Sequence, residues 1–253
     1  MPRFEGRTAV VTGAGGQIGG ATARRLAGEG AKVLVVDRDE AGVAATVAAI
    51  EEAGGAARGC VADVTDAAAI ARYAAQGAEL GGGRIDAFFN NAGVEGPVAP
   101  IEEYPVEGWD RVFAVNVRAV FVGLKEVLPH MGEGGAVVNT ASIAGVIGSP
   151  GIVGYIAAKH AVVGITRTAA METGSRGIRV NAVCPGPISG RMMSSLEDGW
   201  GGTRVRDMLL KAIPMGRYGT VDEVAAIVTF LLSPEAGFCH GATYLLDGGQ
   251  TAS

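Results

Sequence analysis

The chain has little with which to build a metal centre, a disulfide framework or a membrane anchor. Its 253 residues include three cysteines and three histidines. Cys60, Cys184 and Cys239 are far apart, odd in number and without CxxC spacing, so they read as small buried hydrophobes in a reducing compartment. His130, His160 and His240 are equally scattered, and no His-ligated metal is expected. No uninterrupted apolar run approaches the roughly 20 residues of a membrane span. The opening MPRFEGRTAVV lacks the apolar stretch of a signal peptide. A formal charge of −5 with no basic stripe argues against nucleic acid. The expectation is a cytoplasmic protein with no metal, no membrane and no nucleic-acid partner.

What the chain does have is alternation. Apolar runs at 8–13, 32–37, 57–63, 85–90, 135–142, 178–185 and 242–249 read as seven strands. Most are nearly continuous, as parallel strands covered on both faces must be. Between them lie helical stretches at 17–29, 39–53, 66–80, 106–130, 153–174 and 222–232. Strand–helix alternation with right-handed crossovers implies an α/β Rossmann fold, a doubly wound parallel sheet with helices on both faces. No linker or low-complexity segment interrupts it, so residues 1–253 are expected to form a single domain. The stretch 186–221 shows no obvious regular structure. Its Gly199, Gly201 and Gly202, with Met192, Met193, Leu196, Trp200, Met208 and Leu209, suit a lid over an apolar surface at about 187–216.

Two local patterns carry chemistry. TGAGGQIGG (12–20) follows the first strand and opens a helix, where glycines let the backbone approach a pyrophosphate at a helix N-terminus. Asp37 closes the second strand, 18 residues after Gly19, where a carboxylate can accept both hydroxyls of an adenosine ribose. Farther on, GYIAAKH places Tyr155 and Lys159 four apart, one turn apart on one helix face. Alone, that pair equally describes a half-buried tyrosine beside a snorkelling lysine.

Taken together, these segments resemble the short-chain dehydrogenase/reductase family from Thr8 to the end of the chain. Thr12, Gly13 and Gly19 match the family's TGxxxGxG loop, with Gln17 in place of the middle glycine. NNAG (90–93) matches the motif that steadies the sheet and lies along the cofactor. The family's helix asparagine falls on Asn116, its serine on Ser142 and its YxxxK on Tyr155 and Lys159. NAVCPG (181–186) matches the segment beside the nicotinamide. The resemblance implies that Gln17 and Ile18 contact phosphates or ribose, and that Asp63 and Val64 lie against the adenine. It also places Asn90 near the ribose and Gly93 along the cofactor, with Pro185, Gly186 and Ile188 at the nicotinamide. One further departure is Gly190, at the place of the threonine that grips the carboxamide in relatives. Arg38, beside Asp37, is a residue type that accompanies NADP in relatives.

The chemistry implied is that of a general acid–base. A phenol with pKa near 10 is a poor base at neutral pH. The Lys159 ammonium is expected to lower that pKa, letting Tyr155 take the proton of an alcohol or give it to a carbonyl oxygen. Ser142 would hydrogen-bond the substrate oxygen, and Asn116 would hold a water behind Lys159. The expected function is NAD-dependent oxidoreduction of a neutral, largely apolar secondary alcohol or ketone by a homotetramer. The expected wall around the reacting carbon is Val94, Ile143, Val146, Ile147, Ile152 and Pro187, with Met192, Met193 and Trp200 from the lid. The alternatives are an NADPH-dependent 3-oxoacyl-carrier-protein reductase and, from another class, a catalytically inactive cofactor-binding scaffold.

Overall fold

Five residues, TAVVT, begin the sheet, and every one of them is buried (β1, Thr8–Thr12). A strand buried on both faces needs cover on both, and the rest of the chain supplies it. A computed structural model describes residues 2–252. After β1 come α1 (Gln17–Gly28), β2 (Lys32–Asp37), α2 (Glu40–Glu52), β3 (Ala56–Val61), α3 (Ala67–Leu80) and β4 (Ala87–Asn90). Then follow α4 (Val106–Phe113), α5 (Ala119–Val127), β5 (Ala136–Thr140), α6 (Val153–Thr173) and β6 (Arg179–Pro185). The chain closes with α7 (Arg191–Trp200), α8 (Thr203–Ala212), α9 (Val221–Leu232) and β7 (Thr243–Leu246). The seven strands form one parallel sheet in the order β3-β2-β1-β4-β5-β6-β7.

The two-residue period of β1 divides the core. Val10 faces a cluster with Ile70 and Tyr73 of α3, Leu124 of α5 and Val162 of α6. Ala9 and Val11 face the opposite layer, with Ala23 and Leu26 of α1, Ile50 of α2 and Val228 and Leu231 of α9. Strand order runs outward from β1 in one direction and from β4 in the other. The crevice at the carboxyl ends of β1 and β4 is therefore the topological switch point, where such sheets bind ligands.

Two segments differ from the sequence expectation. The helix expected at 106–130 is one helical run with an internal π turn at Ala114–Arg118. That turn widens the helix around Asn116, the kind of local defect found at functional positions. Residues 186–221 are not irregular: they carry α7 and α8, separated by Gly201 and Gly202, both at positive φ. Their apolar faces are short and interrupted by charge, so periodicity did not stand out. They close a third cluster in which Met193, Leu196, Ile213 and Tyr218 pack with Ile152, against Val98, Tyr155 and Trp200. Tyr218 Oη donates to Glu197 Oε1 at 2.6 Å, fastening α7 to the body through a buried pair.

Candidate active site

Each element delivers its functional residue to the carboxyl rim of the sheet. At the end of β1, Gly13 takes φ +66°, and a Cβ at Gly19 would overlap the Gly13 carbonyl, so helix and turn meet at glycine contact distance. The turn leads straight into the N-terminus of α1, whose Gly16 cap contributes no side chain. Asp37, closing β2, is held in place: Gly15 N–H donates to its Oδ2 at 3.0 Å and Asp39 N–H to its Oδ1 at 3.1 Å. Arg38 beside it is exposed. Asp63 accepts from the Thr65 backbone and hydroxyl, both at 2.8 Å, and these bonds hold its carboxyl below the usual range.

The NNAG segment is stapled across three strands. Thr12 Oγ1 accepts from Asn91 N–H at 2.9 Å, Asn91 Nδ2 donates to Thr12 O at 3.0 Å, and Thr140 Oγ1 donates to Asn91 Oδ1 at 3.1 Å. Asn90 turns away from the cleft, donating to Val120 O at 3.0 Å from a buried position. The expected cofactor contact at Asn90 is therefore corrected: of the two asparagines it is Asn91 that lines the cleft, beside Ala92 and Gly93. Alternation along an extended chain was the signal for it: if Asn90 faces the helical layer, its neighbour faces the other way.

Ser142 follows β5 and caps a short 3₁₀ turn, accepting from Ala144 N–H at 3.2 Å. Behind it, a Cβ at Gly145 would come 2.7 Å from Lys159 O, so the missing side chain lets α6 pack directly on the serine turn. That approach brings Tyr155 and Lys159 to Ser142. Lys159 is buried, donates from Nζ to Thr140 O at 2.7 Å, and lies 5.5 Å from the Tyr155 ring centroid.

Burial governs the charge of this pair. It pushes the Tyr155 phenol up to about 12, with the Ser142 hydroxyl acting in the opposite direction and the Glu95 carboxylate adding to the rise. It holds Lys159 down to about 8. Desolvation thus outweighs the lowering expected of the ammonium. Desolvation opposes both charged forms, and the lysine's charge is directed at Thr140 O.

Asn116 is fully buried in the π turn, and Val94 takes up both ends of its amide: N–H to Oδ1 at 2.9 Å and Nδ2 to O at 2.8 Å. Its side chain fixes the loop after NNAG. A Cβ at Gly93 would sit 3.3 Å from Asn116 Oδ1 and 3.7 Å from Lys159 Nζ, so the three groups meet there.

One continuous cleft of about 1600 Å³ connects these positions. At the dinucleotide end it is lined by Gly13, Gln17, Ile18, Gly19, Asp37, Asp63 and Val64. In the middle lie Gly93, Ser142, Tyr155, Lys159, Pro185, Gly186 and Ile188. Beyond Tyr155 the wall is Val94, Ile143, Ile147, Ile152 and Pro187, joined by Met192, Met193 and Trp200 of α7. Val146, expected in this wall, is exposed outside it, while Leu196 and Leu209 are part of it. Across the mouth, Arg191 Nη1 donates to Glu95 Oε1 at 3.1 Å, a pairing that the separation of the two residues in sequence concealed. Among the described residues no cluster of potential metal ligands occurs. No described helix is long and apolar enough to cross a membrane.

Known proteins are similar to this chain in sequence and fold. Residues 13–251 match the family described as Enoyl-(Acyl carrier protein) reductase. Levodione reductase of Leifsonia aquatica is 43% identical over 99% of this chain and 96% of its own. Cyclohexanol dehydrogenase of Acinetobacter sp. is 40% identical, over 99% and 97%. Among solved structures, a levodione reductase superposes with TM-score 0.95 at 42% identity, covering 99% of both chains. An NAD+-bound xylitol dehydrogenase gives 0.92 at 35%, covering 97% of this chain and 99% of that one. A Burkholderia cenocepacia short chain dehydrogenase in complex with NADP gives 0.90 at 34%, covering 98% and 99%. With the sheet order, the glycine turn and the serine–tyrosine–lysine cluster in the same chain, the protein belongs to the short-chain dehydrogenase/reductase family and is an oxidoreductase related to alcohol dehydrogenases.

Proposed function

We propose that the protein is an NAD-dependent dehydrogenase of a neutral, largely apolar secondary alcohol, equally a reductase of the matching ketone. The observation that carries this reading is the convergence of Ser142, Tyr155 and Lys159 midway along a cleft that is glycine-rich at one end and apolar at the other. The glycine end fits a dinucleotide. Gly13 and Gly19 keep side chains out of the turn, the α1 N-terminus favours a pyrophosphate, and Asp37 stands ready for ribose hydroxyls. A bound nicotinamide would supply the hydride acceptor or donor.

The chain's own residues supply the proton and the positioning. With its phenol near 12, Tyr155 holds its proton at neutral pH and can donate it to a carbonyl oxygen. Ser142 offers a hydrogen bond to that same oxygen. Lys159, anchored on Thr140 O, keeps a positive charge beside the phenol and so eases its ionisation when an alcohol is oxidised. Asn116 is a positioning residue that holds Val94 against the substrate end of the cleft. The names of the relatives, levodione reductase and cyclohexanol dehydrogenase, favour a cyclic substrate. Homotetramer formation belongs to the same proposal, supported by Phe121 on α5 and Met171 on α6, which are left exposed.

The test is a panel of secondary alcohols and ketones, with acyl thioesters as a further arm, followed by absorbance of the reduced cofactor with NAD and NADP in parallel. Turnover of cyclic alcohols with NAD is expected. Preference for thioesters with NADPH would transfer the protein to acyl-carrier-protein chemistry, and no turnover with any of them would favour a binding role.

A further inference from the structure

The two positions where the chain departs from the family's motifs, Gln17 and Gly190, meet in space. Gly190 precedes α7 and, as a glycine, has no side chain with which to cap the lid helix. The first N–H groups of a helix have no partner within it. Here the N–H of Arg191, the first residue of α7, donates to Gln17 Oε1 at 3.0 Å. Gln17 opens α1 directly after the glycine turn, 174 residues earlier. The fit is mutual: a Cβ at Gly190 would overlap Gln17 Oε1 and come 2.9 Å from Gln17 Cδ and 3.2 Å from Nε2. The glutamine therefore occupies the volume that a side chain at 190 would need, and its carbonyl takes the place of the missing cap.

We propose that Gln17 is a positioning residue that caps the lid helix from the dinucleotide-binding turn, and that Gly190 exists to admit it. The consequence is mechanical. Gln17 lines the dinucleotide end of the cleft, while Met192, Met193 and Trp200 of α7 line the substrate end. Through one side chain, the placement of the glycine turn sets the placement of the substrate wall. The Arg191–Glu95 pair holds the same lid end from the other side of the mouth, with the Arg191 side chain 72% exposed, and the Gln17 bond also lies at the exposed rim, so two restraints share the start of α7.

Amide hydrogen exchange in the protein without added nucleotide tests this independently of which cofactor it uses. The readout is exchange at 188–200, with a peptide from α9 as the internal control. A single hydrogen bond of this kind changes local opening by about threefold to tenfold. Gln17→Ala is expected to speed exchange at the start of α7 by that factor and leave the α9 peptide unchanged. Gln17→Glu, which keeps an acceptor at the same reach, is expected to restore slow exchange. Gly190→Ala should speed exchange because its Cβ displaces the glutamine, and adding Gly190→Ala to Gln17→Ala should add less than it does to the wild type. Backbone strain at position 190 is common to both proteins that carry Gly190→Ala and cancels in that comparison. Unchanged exchange in Gln17→Ala, failure of Gln17→Glu to restore protection, or simple additivity of the two alanines would overturn the proposal.

Discussion

Asp37 offers the sharpest test of cofactor choice, because the structure fixes where its charge sits. Gly15 and Asp39 N–H groups hold its two oxygens at 3.0 and 3.1 Å, so the carboxylate cannot swing out of the way of a ribose bearing a 2′-phosphate. Two unit charges 4 Å apart repel by about 4 kcal/mol at an effective dielectric of 20. The rim is only partly buried and salt screens it, so roughly half survives, about 2 kcal/mol or thirtyfold. Arg38 is exposed and recovers at most ~1 kcal/mol. Conversely, charged hydrogen bonds to the two ribose hydroxyls favour NAD by about 1.5–3 kcal/mol each. Asp37→Ala should therefore lower kcat/KM with NAD by at least about a hundredfold and raise it with NADP by about thirtyfold. Steady-state kinetics with both cofactors on one alcohol reads the switch, and a melting curve shows how far loss of the Gly15 contact loosens the turn. Wild-type preference for NADP, or an equal loss with both cofactors in Asp37→Ala, would refute the reasoning and point to Arg38 as the residue facing the ribose.

Tyr155→Phe should fold and retain NAD binding by titration while losing at least the ~10²-fold typical of acid–base catalysis; retention of more than about a tenth of wild-type kcat would mean that another group moves the proton. Lys159 has a folded pKa near 8, below its usual 10.5, so the folded protein binds fewer protons between those values and the lysine's unfavourable contribution fades as pH rises through 8 to 10.5. The melting temperature of wild type relative to Lys159→Met should accordingly rise across that window, and a flat difference would contradict the burial argument. Glu95→Gln should leave Arg191 without its partner and raise efficiency toward hydroxy acids over neutral alcohols by about fivefold, the scale of an exposed ion pair. If acid preference stays unchanged, Arg191 does not face the substrate.

The sheet was legible because its signal is local. Continuous apolar runs such as KVLVVD and AVVNT can only be parallel strands covered twice, and all seven strands lie within two or three residues of where the runs place them. The glycine turn and the Tyr155–Lys159 spacing were legible for the same reason, since each is a short pattern with one geometric consequence. What escaped was set by tertiary contact. The helices α7 and α8 have interrupted apolar faces that gain meaning only beside Ile152, Val98 and Tyr155. Asn90 and Asn91 are chemically identical, and which one faces the cleft depends on Thr12, Thr140 and Val120 from three other elements. The π turn at Asn116 leaves no trace in composition at all.

The charge state of the Tyr155–Lys159 pair shows most clearly why spacing alone misleads. Four residues on a helix place an ammonium beside a phenol, and in water that neighbour would favour the phenolate. In the folded protein the close approach of α6 to the serine turn, which Gly145 permits, buries Lys159 and leaves Tyr155 half-buried on the cleft wall. Desolvation then acts on each charged form separately, raising one group to about 12 and lowering the other to about 8. Burial therefore favours the protonated phenol and disfavours the ammonium, so on the proposed function Tyr155 rests as a proton donor and acts as a base against the cost of desolvated charge. On the proposed function, ketone reduction would draw on that proton directly while alcohol oxidation would first have to remove it, so the rate of oxidation should rise with pH more steeply than that of reduction.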